Sequence, residues 1–81
     1  MVNMTSKNNK ISSKIGLKIK LLRTKSGFSQ EKLAELADLS KNSIGAIERG
    51  ESSPSIDTLD AIAKAFGMSL IDLVDISKLE L

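Results

Sequence analysis

Apolar residues recur along this chain at helical spacing, in short blocks that open on a serine and close on a glycine or other turn former. Ile15, Ile19 and Leu22 form one stripe, so residues 13–25 are predicted as a first helix capped by Ser12 or Ser13, with Gly27 just past its end. Ser29 caps a second helix over 30–37, whose inner face carries Leu33, Ala34 and Ala37. Asp38-Leu39-Ser40 separates it from a third helix near 41–49, with Ile44 and Ile47 buried and Gly50 following. Asp38 stands at the turn, and because Asp tolerates positive φ better than most residues, a left-handed conformation is expected there.

Glu51-Ser52-Ser53-Pro54 reads as a loop, since proline biases Ser53 away from helix. Ser55 then caps a fourth helix with Ile56, Leu59, Ile62, Ala63 and Phe66 on its inner face, ended by Gly67. Ser69 opens a short fifth helix through Leu70, Leu73 and Val74 that extends toward Leu79. No stretch alternates apolar and polar residues long enough for a strand. The expected fold is all-α, a compact five-helix bundle. Residues 1–11 are read as a flexible N-terminal tail and 12–81 as the folded domain.

Composition narrows what such a bundle can do. With 81 residues and 41% hydrophobic content the chain supports one small core. It has neither Cys nor His, which removes disulfides, thiolate or imidazole metal sites, a cysteine nucleophile and the commonest general base. No metal, cofactor or small-molecule ligand is expected, and the remaining Ser, Lys and Asp show no activated arrangement, so the chain is not expected to be an enzyme. Phe28 and Phe66 are the sole aromatics, too few for a base-stacking platform. No window is apolar enough to cross a membrane and no secretory leader is recognised, so a cytoplasmic location is expected, without membrane partners.

Charge is distributed unevenly. Residues 1–26 hold seven Lys or Arg and no acid, whereas 27–81 hold five bases and ten acids. A basic third on a chain of net charge +2 fits either a polyanion held on one face or a solvated lysine-rich helix. Lys7, Lys10 and Lys14 admit the same two readings.

The stretch 29–50 carries the most information. Two short helices joined by a three-residue turn, with small Ala34 where they cross, have the layout of a helix-turn-helix, although an ordinary helical hairpin satisfies the same spacing. With Ile44 and Ile47 inward, the third helix presents Lys41, Asn42, Ser43, Gly45 and Ala46 outward. Lys41 and Asn42 are side chains able to read base edges, placed at a helix N-terminus where such contacts are made.

Residues 15–73 as a whole resemble the Xre-type helix-turn-helix family, which includes phage Cro and repressor domains (the lambda repressor-like fold) and restriction–modification controller proteins. The matching runs are Ile15-Gly16, Ile19, Leu22-Arg23, Gly27-Phe28-Ser29-Gln30-Glu31-Lys32-Leu33-Ala34, Ser43-Ile44, Ile47-Glu48-Arg49-Gly50, Pro54-Ser55, Leu59, Ile62-Ala63 and Ala65-Phe66-Gly67-Met68-Ser69-Leu70. The resemblance implies a regulator of transcription that binds double-stranded DNA as a homodimer on a palindromic operator, with the third helix in the major groove.

Carried over position by position, Lys41, Asn42, Ser43 and Ala46 match base-facing positions, and Gln30, Ser29, Arg49, Ser53 and Lys25 are candidates for the phosphate backbone. Arg23 and Glu48 match a buried ion pair joining the first and third helices. Ala46 offers only a methyl group, so base reading rests mainly on Lys41 and Asn42, and DNA shape supplies part of any specificity. The apolar C-terminal stretch exceeds what a short helix buries, which marks Leu70, Leu73, Val74 and Leu79 as candidates for a dimer interface. A second reading from a different class keeps the same fold as a protein-interaction module such as an antitoxin; Lys41, Asn42 and Arg49 on the third helix's outward face, with no acid between 39 and 47, favour DNA.

Overall fold

The computed structural model describes residues 10–77. Among them are five helices and no strand: α1 (Ile11–Lys25), α2 (Gln30–Ala37), α3 (Lys41–Glu48), α4 (Ile56–Ala65) and α5 (Leu70–Val74). Ser29, Ser40, Ser55 and Ser69 each sit in extended backbone and accept the N–H three residues on, so four of the five helices start where serine placed them. Each such cap contributes about 1 kcal/mol.

The start of α1 departs from this pattern. It begins at Ile11 behind an uncapped Lys10, leaving Ser12 and Ser13 inside the first turn, so the helix reaches into what was read as tail. Ser13 lies against Gly50 instead of before the helix. Gly50, in left-handed backbone at φ 73°, approaches so close to Ser13 that a Cβ on the glycine would lie 2.5 Å from the serine Oγ. That contact packs the first turn of α1 against the loop after α3.

Every helix contributes one large, fully buried side chain to a single core: Ile19, Leu33, Ile44, Ile62 and Leu73. Burying each stabilises the fold by roughly 1.5–3 kcal/mol before entropy is counted. Phe28 and Phe66 stack with centroids 6.2 Å apart, tying the α1–α2 turn to the end of α4. The core takes α4 from Leu59 onward, so Ile56, expected to face inward, lies one turn outside it and is 70% exposed.

A close backbone approach joins α1 to α3. A Cβ on Gly16 would lie 2.1 Å from the Ile47 carbonyl oxygen, so only glycine lets the two backbones meet. Ala34 is buried as its small size suggested.

α5 ends at Val74 instead of extending toward Leu79, which falls outside the described residues. Asp75 turns extended and its carboxylate accepts both the N–H and the hydroxyl of Ser77. The Lys18 ammonium donates to the carbonyls of Asp72 and Asp75, placing a cation of α1 at the negative end of α5.

Candidate nucleic-acid interface

The α2–α3 unit is fixed by local chemistry. Asp38 takes the left-handed conformation (φ 58°, ψ 46°) expected of it and ends α2. Asp38 and Leu39 donate their N–H groups to Glu35 and Ala34, satisfying carbonyls that the helix end would otherwise leave open. Ser40 then starts α3, accepting the Ser43 N–H at 3.0 Å and donating its hydroxyl to Ser43 Oγ at 2.9 Å. Ile44 and Ile47 turn α3 onto the core.

A buried polar cluster sets the rotation of α3. Arg23 donates through Nε to Glu48 Oε2 at 2.6 Å and through Nη2 to Oε1 at 3.2 Å, with side chains only 12% and 3% exposed. Its Nη1 donates to the Phe28 carbonyl at 2.8 Å. Gln30 Nε2 also donates to Glu48 Oε1, at 3.0 Å. One carboxylate of α3 therefore gathers donors from α1 and α2. No buried side-chain nitrogen or oxygen among the described residues lacks a partner, as a charge at this depth requires.

The outer surface of α3 has two flanks. On one, Asn42, Ser43 and Ala46 line a groove of about 370 Å³ whose far wall is Ser52, Pro54 and Thr58. On the other, Gln30 and the Arg49 guanidinium converge over Gly45. Lys41, Asn42 and Ser43 are exposed, Ala46 half-buried. Gly45, read from sequence as facing outward, is buried, because Arg49 folds back along the helix and covers it. Arg49 Nε also pairs with Glu51 at 3.1 Å.

The remaining backbone-contact candidates are more scattered. Ser29 is exposed and caps α2, Ser53 is exposed in the loop before Pro54, and Lys25 is exposed in the last turn of α1. Lys18 and Arg23 make internal bonds, so two of the seven cations in the basic third serve the fold. Composition counts those charges but cannot separate the two kinds.

Leu73 is corrected as a dimer contact. It is fully buried within the monomer, where it closes the core from the α5 side. Leu70 and Val74 are half-buried against that core, and Ile71, which lies between them in sequence, is 78% exposed. Among the described residues no helix is long and apolar enough to cross a membrane.

Comparison with known proteins matches a helix-turn-helix family, HTH_3, over residues 19–73. This chain belongs to that family. Control protein C.BamHI of Bacillus amyloliquefaciens is 43% identical over 68 residues, covering 83% of this chain and 84% of the relative. The crystal structure of the restriction-modification controller protein C.AhdI from Aeromonas hydrophila superposes with a TM-score of 0.74 at 34% identity, over 76% of this chain and 94% of that one. Antitoxin PezA of Streptococcus pneumoniae is 35% identical over 65 residues, 80% of this chain but 41% of its own length. The HTH_3 match extends from within α1 into α5, so it takes in the Arg23–Glu48 pair together with the helix pair, while Gly16 lies just before it.

Proposed function

We propose that this HTH_3 protein is a sequence-specific double-stranded DNA-binding regulator of transcription that reads a palindromic operator as a homodimer, with α3 in the major groove. The observation that carries the reading is the outer surface of α3. Lys41, Asn42, Ser43 and Ala46 stand on it, and the donors Gln30 and Arg49 lie along its edge. In this reading Lys41 donates to guanine O6 and N7, Asn42 pairs with adenine N6 and N7, and Ala46 meets a thymine methyl; each good hydrogen-bonded pair is worth about 1–3 kcal/mol of discrimination. Gln30, Ser29, Arg49, Ser53 and Lys25 hold the phosphate backbone and set register without reading sequence.

The homodimer uses the α5 face, with Leu70, Val74 and, beyond the described residues, Leu79. Exposed Ile71 joins that face and Leu73 leaves it. An antitoxin-like protein partner is the second reading, favoured by the PezA similarity and by the same exposed Ile71.

Selection of bound duplexes from a random DNA pool at near-physiological salt tests the proposal. An enriched palindrome with half-sites about 10 bp apart centre to centre supports it. Substituting Lys41 or Asn42 then changes the preferred bases. Binding without any enriched sequence, fading with salt alone, overturns it and favours the protein partner.

A further inference from the structure

We infer that Gly45 is a positioning residue: its missing side chain lets Arg49 fold back one helical turn and join Gln30 as a donor pair for the DNA backbone. This rests on the DNA-binding reading above and adds to it a residue that the contact positions do not include. A Cβ built on Gly45 would stand 2.9 Å from Arg49 Nη1 and 3.8 Å from Gln30 Nε2, so both donors border the same small volume, and the guanidinium occupies the space where a side chain at 45 would begin. Without the glycine the arginine is pushed off the helix surface and the pair is broken.

Each partner is held on its other side. Gln30 Nε2 has one proton on Glu48 Oε1, which leaves the second to donate outward. Arg49 has Nε on Glu51 Oε2, which leaves both Nη groups available. Two donors that border the same small volume suit the unesterified oxygens of one phosphate, and Arg is suited to such paired recognition. Lys41 lies one turn N-terminal to Gly45 on the same stripe of α3. Folding back therefore brings the Arg49 charge toward the base-reading end of the helix.

Gly45 has no backbone need for glycine. It lies inside α3, not among the residues with positive φ, and the nearest contact of an added Cβ is the flexible end of Arg49. A purely structural role would thus make alanine neutral or stabilising, since glycine is a poor helix residue. Positioning predicts the opposite sign for DNA.

The experiment measures binding of a mixed-sequence duplex pool by fluorescence anisotropy over a series of salt concentrations, for wild type, Gly45→Ala, Arg49→Ala and the double variant, with thermal unfolding of each. Gly45→Ala is expected to keep or raise Tm yet bind about tenfold more weakly. Its salt slope should be shallower by about one unit, the signature of one lost phosphate contact. Arg49→Ala should lose a similar amount, and Gly45→Ala should add nothing in that background. Full affinity and slope for Gly45→Ala overturn the inference while leaving the DNA reading intact, as does a loss that persists undiminished without Arg49. Failure of the wild type to bind any duplex overturns both.

Discussion

Helix α1 grips its neighbours with two cations in two different ways. Arg23 reaches inward to α3, where it is 12% exposed, makes a two-pronged contact with Glu48 and gives its remaining edge to the Phe28 carbonyl. Lys18 reaches across to α5 and meets the carbonyls of Asp72 and Asp75 at the solvent-facing surface. The first joint is largely buried and reinforced by the Gly16–Ile47 backbone approach. The second is a point charge on the end of a five-residue helix whose firm anchor is the single buried side chain of Leu73. Buried fork-to-carboxylate geometry fixes orientation, because misaligned charges there have no water to turn to. An exposed ammonium tolerates several arrangements and sets only proximity. Helix α3, proposed above to read DNA, is thus held by a buried joint, and α5, proposed for partner contact, by an exposed one.

Breaking the buried joint should have the largest effect. Glu48→Gln leaves the Arg23 guanidinium without its counter-charge and should destabilise the fold by about 3–5 kcal/mol, measured as a fall in the urea midpoint. Little change would mean that water or a rotamer shift compensates the arginine, and the contrast with Lys18 would collapse. Gly16→Ala comes next: its Cβ meets backbone rather than a flexible side chain, so α1 and α3 must separate, at a cost of about 1–3 kcal/mol. Chemical-shift changes spread along both helices would report the separation, whereas a perturbation confined to residue 16 would place the tolerance in α1 alone.

Breaking the exposed joint should do less. Lys18→Met removes the cation from the end of α5 while keeping an apolar stem, for a loss of about 0.3–1 kcal/mol. Amide exchange should quicken in α5 and stay unchanged in α2 and α3. Equal acceleration everywhere would show that α5 unfolds only with the whole domain. The smallest effect belongs to the exposed Arg49–Glu51 pair. Glu51→Gln should leave stability within about 0.5 kcal/mol. It should still strengthen duplex binding slightly, because one negative charge is removed beside the phosphate contact proposed for Arg49.

Much of this architecture was legible in local sequence. Four serine caps and Asp38 at the turn placed the starts of α2 to α5 and the helix-turn-helix correctly, because caps and turns depend on residues within a few positions of one another. The misread positions share a cause. Ser12 and Ser13 look like caps until Gly50 is brought against Ser13. Ile56 has the right period for the core but stands beyond its edge, whereas Leu73 looks like surplus apolar surface until α1 and α4 pack against α5 and bury it. Periodicity tells which residues share a face, not how far the neighbouring helices extend across it.

The sequence by itself determined the helix content, the start of α3 and the polar side chains on its outer face, all of which follow from short-range capping and spacing. Only the tertiary structure decided which cations stay available. It committed Lys18 to α5 and Arg23 to Glu48, turned Gln30 onto the same carboxylate and laid Arg49 across Gly45. These partners of Lys18, Arg23 and Gln30 lie from 18 residues away along the chain, for Gln30 and Glu48, to 57, for Lys18 and Asp75. Their energies depend on distance and burial in space, and neither quantity exists until the helices have packed.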